Sequence, residues 1–170
     1  MASCGGPRFE VAEAPPQTGI VWDAHLYMAP QVYSWTCSAC SLDWVLRSTG
    51  LNLYSTREDT VYHIGYTEQI NPQQGLTNID GPGAALQAVL LDYGQPSEQA
   101  WLDFDTVYQL AQHTTGMGSG SVYYHWIALR GIQGSNLWIA NSAEGYKGVY
   151  STLSRYDFDR LGPWNIVWLV

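Results

Sequence analysis

The rhythm of hydrophobic and polar positions changes along the chain. In SLDWVLRSTG, Leu42, Val45 and Leu46 follow the i, i+3, i+4 rule of a helix face. Ser38 or Ser41 is placed to cap such a helix and Gly50 to stop it, which predicts a helix over 38–49. TREDTVYHIGYTEQI, residues 56–70, again opens with cap-type residues and predicts a second helix. GAALQAVLLDYG, residues 83–94, predicts a third that Gly94 ends, and DFDTVYQLAQHTTG a fourth that Gly116 ends. Beyond that point the helical spacing gives way to alternation. GMGSGS reads as a flexible link. SVYYHWIALRGI and LWIANSA read as the two strands of a hairpin through QGSN, with GVYSTLSRYDF and WNIVWLV as two more strands. Helices first and strands last predict an α+β fold, N-terminal helices packed on a C-terminal antiparallel β-sheet, not alternating βαβ units. Residues 1–19 read as an irregular arm, IVWDAHLYMAP as a short strand, and residues 20–170 as a single domain without internal repeats.

Composition narrows the function. The 170 residues are 46% hydrophobic and 13% charged, the balance of a chain that buries a core without metal or disulfide staples. The net charge of −8 leaves no basic stripe for phosphates, which argues against nucleic acid as a partner and against an anionic membrane surface. No run approaches 18 apolar residues and no signal peptide is recognisable, so no membrane insertion is expected. Eight Trp and twelve Tyr against three Phe suit binding grooves as well as cores. Lys147 is the single lysine among seven basic residues.

The stretch QVYSWTCSACSLDWVLRSTG holds two of the three cysteines, Cys37 and Cys40. A structural zinc needs four ligands, and only one CxxC exists, with histidines standing singly at 25, 63, 113 and 125. No metal and no cofactor are therefore expected. A thioredoxin-like redox pair belongs after a strand in a βαβ unit, and the strands here come late. A disulfide within one helical turn would constrain little, and two buried thiols packing as small hydrophobes is the plain alternative. The remaining reading is a nucleophile. A helix N-terminus favours thiolate, and Cys37 stands where the 38–49 helix begins. Such a nucleophile needs a base, an orienting group and an oxyanion donor. His125 opens the strand HWIAL, and the hairpin brings Asn141, at the end of LWIAN, beside it. An Asn there can accept from one imidazole nitrogen and fix the tautomer. Gln31, six residues before Cys37, carries an amide that can donate to an oxyanion.

This order, Gln–Cys–His–Asn, resembles the papain-like cysteine peptidases. It is most similar to the bacteriocin-processing (double-glycine leader) peptidases and their stand-alone relatives. In that family a Gln precedes by six residues a Cys that opens a helix ending in Gly. Later come a helix ending in Gly, an H-[FW]-[VI]-x-[LV] strand, and a strand ending in [ND]-[PS]-x-x-G. Here these are QVYSWTCSACSLDWVLRSTG, LLDYG, HWIAL and NSAEGY, a likeness covering roughly residues 25–170. Ser38 replaces the family's usual Gly, and Asn141 stands where Asp is common. Papain's nucleophile is the second Cys of its C-x-x-C-W run, which would select Cys40, but the residue six before Cys40 is Ser34. The Gln spacing selects Cys37.

The resemblance implies a cysteine peptidase of papain-like fold with Cys37, His125, Asn141 and Gln31 as its catalytic residues, and no cofactor. The aromatic composition and the Arg-over-Lys usage suggest a phage or bacterial cell-wall hydrolase, an endolysin acting on peptidoglycan stem peptides. In that reading Trp126, Tyr146 and Trp164 line the substrate groove, GMGSGS is a mobile flap, and an attached wall-binding domain or virion tail proteins are partners. The protein would act at the cell wall, released from the host cytoplasm by a holin or carried on the virion. The alternatives are a leader-processing or cytoplasmic protease of the same mechanism, and a non-catalytic peptide-binding module.

Overall fold

The computed structural model describes residues 28, 31, 36–49, 70–71, 75–76, 83–122, 125–144 and 150–170. The arm, all of the 20–30 strand except Met28, all of the 56–70 helix except Ile70, and Tyr146 lie outside the described residues. In chain order the elements are α1 (Cys37–Ser48), the short pair β1 (Ile70–Asn71) and β2 (Gly75–Leu76), α2 (Ala84–Asp92), β3 (Ser97–Leu102), α3 (Phe104–Ala111), β4 (Gly116–Gly120), β5 (Trp126–Gln133), β6 (Asn136–Ala140), a 3-10 turn (Ser142–Glu144), β7 (Tyr150–Leu153), α4 (Arg155–Arg160) and β8 (Trp164–Leu169).

Six strands form one antiparallel sheet in the order β3-β8-β4-β5-β6-β7. Alternation along each strand sends side chains to two separate cores. From β5, Trp126 and Ala128 join Cys40, Leu42 and Val45 of α1 and Leu86 of α2 on one face. Ile127 and Leu129 join Phe104 and Val107 of α3 and Phe158 of α4 on the other. The β5–β6 register shifts between Leu129 and Gly131. This bulge reverses the alternation, so that Ile132 packs with the second core although Trp126 and Ala128 face the first. Gly131 sits there at φ 147°, a conformation open to glycine. The fully buried Arg130 lies in the same bulge, its guanidinium 4.2 Å from the Trp138 ring centre and 5.6 Å from that of Trp44.

Helix α1 is buried all round from Cys37 to Leu46, more completely than its single predicted stripe implies. Even Asp43 is buried, ion-paired to Arg47 at 2.8 Å. The helix starts one residue before the predicted position. Thr36 is its N-cap, while Ser38 and Ser41, the expected caps, are buried inside the helix.

Three expectations are corrected here. GMGSGS is no flexible link or flap: Gly116–Gly120 is a buried strand between β5 and β8. Its glycines make room for the neighbouring strand. A Cβ on Gly116 would lie 2.3 Å from the Val167 carbonyl oxygen. Residues 97–102, given no strand by the sequence, form edge strand β3 against β8. GVYSTLSRYDF is not one strand. It breaks at Ser154, whose hydroxyl accepts from the Asp157 N–H and donates to its carboxylate, opening α4.

Candidate active site

His125 immediately precedes β5 and Asn141 immediately follows β6. Ala128 and Ala140 are partners across the hairpin, so the two residues meet at one end of the sheet. Their contact is short: His125 Nε2 lies 2.6 Å from Asn141 Oδ1, both side chains buried. The backbone N–H of Ala143 also donates to Asn141 Oδ1, at 3.0 Å. That second donor identifies the atom as the amide oxygen, which can only accept. The proton between His125 and Asn141 therefore sits on Nε2. In the neutral ring Nδ1 is then the lone-pair nitrogen, the one able to take a proton. Nδ1 is buried and has no hydrogen-bond partner among the described residues.

Helix α1 packs across β4 and β5 and also touches the 3-10 turn. Its first residue, Cys37, is 3% exposed and shares a core cluster with Trp126, the residue after His125. Thr36 provides no side-chain cap, so the positive end of the helix dipole falls on Cys37. Cys37 and Cys40 are not disulfide-bonded. Cys40, one turn further on, is fully buried in the core among Leu42, Val45 and their neighbours.

Gln31 is brought to the same turn. Its N–H donates to the Ser142 carbonyl at 3.3 Å, and its Oε1 accepts from the Ser142 hydroxyl at 3.0 Å. Gln31, His125 and Asn141 are thus tied together around the turn after β6, and α1, which Cys37 opens, packs against β5 and touches that turn. Ser142 was missed by the sequence reading. Its signal was the [PS] position after Asn141, where only a serine has a hydroxyl to give.

The expected groove residues fare differently. Trp126 is 4% exposed and packs with α1 beside the site. Trp164 is a core residue of the opposite face. Its ring stacks on Phe158 at 4.9 Å, and its Nε1 donates to the Phe158 carbonyl at 2.8 Å. Among the described residues no group of three or more His, Cys, Asp or Glu side chains could hold a metal ion. No described helix is long and apolar enough to cross a membrane.

No protein-family model matches the sequence, and a search of curated proteins finds no match. Solved structures do match. The peptidase domain of Streptococcus ComA, a bifunctional ABC transporter of a quorum-sensing pathway, aligns with a TM-score of 0.64 at 18% identity, over 86% of this chain and 98% of that one. A putative C39-like peptidase from Bacillus anthracis aligns at 0.60 and 10% identity, over 91% and 98%. A double-glycine-motif protease from an AMS/PCAT transporter, solved with its leader peptide, aligns at 0.59 and 15% identity, over 84% and 89%. At these identities the likeness is one of fold, and it agrees with the fold class expected from the sequence. The chain has the papain-like fold of the C39 double-glycine peptidase domains, a central helix and its neighbours packed on an antiparallel sheet.

Proposed function

We propose that the protein is a cysteine peptidase in which Cys37 is the nucleophile, His125 the acid–base, Asn141 its orienting partner and Gln31 an oxyanion donor. The observation that carries this reading is the His125–Asn141 contact, because the doubly engaged Asn oxygen leaves Nδ1 as the basic nitrogen. The Cys37 thiolate attacks the peptide carbonyl, and the charge developing on its oxygen is met by the Cys37 N–H and the Gln31 side-chain NH2. His125 gives its Nδ1 proton to the departing amine, which leaves with the C–N electron pair. Water then attacks the thioester, His125 accepts its proton, and the acid product departs while the thiolate re-forms.

The substrate is a peptide. Likeness to a protease solved with its leader peptide supports a double-glycine leader as the substrate class. Wall stem peptides are the second reading, favoured by the abundance of Trp and Tyr. In that case the protein works at the cell wall, alone or beside a wall-binding or virion partner. Incubation with double-glycine leader peptides and, separately, with purified peptidoglycan, followed by mass spectrometry of the new termini, decides between them. Cys37→Ala should abolish cleavage with thermal stability retained, and Cys40→Ala should keep it. The reverse pattern would assign the nucleophile to Cys40. If iodoacetamide alkylates Cys37 no faster than a free thiol near neutral pH, the non-catalytic alternative gains.

A further inference from the structure

Cys37 and Cys40 stand at i and i+3 in the first turn of α1, and neither is disulfide-bonded. Both belong to the core cluster that α1 shares with Trp126, so both thiols lie on one side of the helix. Three residues along an α-helix bring Cα atoms to about 5 Å, inside the range that a disulfide spans. Side chains lean toward a helix N-terminus, which tips Cys40 back over the turn that Cys37 opens. At this spacing Cβ atoms are about 5–6 Å apart, against about 3.8 Å in a relaxed disulfide. A bond there would form under strain, and strained disulfides are the readily reduced ones. It would be a poor staple and a usable switch.

The two thiols differ in access. Cys37 keeps 3% exposure, whereas Cys40 has none, so a small oxidant meets Cys37 first. The helix end that favours thiolate at Cys37 makes it a nucleophile toward a peroxide as well as toward a carbonyl. Packing at position 40 would be met by any small apolar side chain, but only a thiol can react with an oxidised neighbour. We propose that Cys40 is the resolving thiol of a redox switch that shuts off and protects the nucleophile. The Cys37 thiolate attacks one oxygen of hydrogen peroxide, the O–O bond breaks, and hydroxide departs to leave a sulfenic acid. The Cys40 sulfur then attacks the Cys37 sulfur, the S–OH bond breaks, and the hydroxyl leaves with the Cys40 proton as water. Two thiols are oxidised to one disulfide and the peroxide is reduced to two waters. A dithiol reverses the bond and is itself oxidised to a disulfide. The proposal rests on the cysteine-peptidase reading.

Cys4→Ser leaves Cys37 and Cys40 as the remaining cysteines of the full chain. That protein is treated with hydrogen peroxide, and peptide mapping by mass spectrometry follows both sulfurs. Cys37 and Cys40 should be found joined, with two hydrogens lost. Dithiothreitol should then restore about nine-tenths of the iodoacetamide-reactive Cys37. With Cys40→Ala added, reduced Cys37 should alkylate at an unchanged rate. The same peroxide dose should now carry it to sulfinic and sulfonic acid, with about one-tenth recovered. Cys40→Val, which keeps position 40 filled, repeats the measurement should Cys40→Ala fold poorly. Equal recovery with and without Cys40, or overoxidation of Cys37 with no bond to Cys40, would overturn the proposal. Fast alkylation of reduced Cys37 without a disulfide after peroxide removes this proposal alone. If reduced Cys37 alkylates no faster than a free thiol, the peptidase reading falls and the switch with it.

Discussion

Replacing Gly116 with Ala tests whether the glycines of GMGSGS serve packing or mobility, because the two give opposite signs. A Cβ on Gly116 would lie 2.3 Å from the Val167 carbonyl oxygen, and 3.0 and 3.1 Å from Trp168 Cα and Cβ. The first contact is about 1 Å inside ordinary van der Waals separation, and the offending atoms are mostly backbone. Val167 is the partner of Met117 in the β4–β8 ladder, so relief means parting two central strands. Overpacking costs about 1–3 kcal/mol, and a contact with backbone belongs at the top of that range. At about 2–4 °C per kcal/mol for a chain of this length, Tm should fall by about 6–12 °C. Gly118→Ala should cost less, about 1–2 kcal/mol, because its nearest neighbour is the terminal methyl of Ile166 at 2.5 Å, which can rotate away. In a mobile flap either substitution would instead stiffen the unfolded chain and stabilise by about 0.4–1 kcal/mol. Thermal melts followed by circular dichroism measure both variants. A Gly116→Ala protein melting at or above wild type, or one less damaged than Gly118→Ala, would refute the packing argument.

Asn141→Ala removes the shared acceptor of His125 Nε2 and the Ala143 N–H in a buried site, a loss of about 1–3 kcal/mol that should lower kcat/KM roughly 5- to 150-fold. Asn141→Asp keeps an oxygen in place and should retain far more activity than Asn141→Ala in a peptide-cleavage assay; equal losses would mean that the contact does not orient the ring. Trp164→Phe should destabilise by about 1–3 kcal/mol in denaturant melts, through the lost bond to the Phe158 carbonyl and lost ring contact, with the KM of the folded variant unchanged. A raised KM at unchanged stability would return Trp164 to the substrate groove.

The elements legible in the sequence are those whose signal is local. Leu42, Val45 and Leu46 announce α1, GAALQAVLLDYG announces α2, and HWIAL–QGSN–LWIAN announces the hairpin, which fixes His125 beside Asn141 before any coordinates are known. What was lost depends on distant partners. Gly116 and Gly118 look like a flexible run until Val167, Trp168 and Ile166 are seen to occupy the space their side chains would need. SEQAWL becomes a strand by pairing with β8 from Ser97 opposite Leu169 to Leu102 opposite Trp164, and its own pattern of half-buried residues carries little period-two signal. Trp164 is apolar enough for a groove or a core, and only the Phe158 stack decides. The role of Ser142 was missed although its place in the motif was visible, because its partner, Gln31, is 111 residues away in sequence.

The hydrogen bonds described around His125 and Gln31 join uncharged groups to them. His125 is held by an amide oxygen, that oxygen by a backbone N–H, and Gln31 by a hydroxyl and a main-chain carbonyl. None of these groups titrates in the range where a thiol and an imidazole do. In a chain of net charge −8, a carboxylate at position 141 would add to an existing excess and stabilise the imidazolium by charge as well as by geometry. Asn141 provides the geometry alone. These hydrogen bonds therefore involve no partner whose charge changes with pH. The same neutrality makes those supports insensitive to ionic strength, since hydrogen bonds between buried neutral groups are not screened as surface ion pairs are.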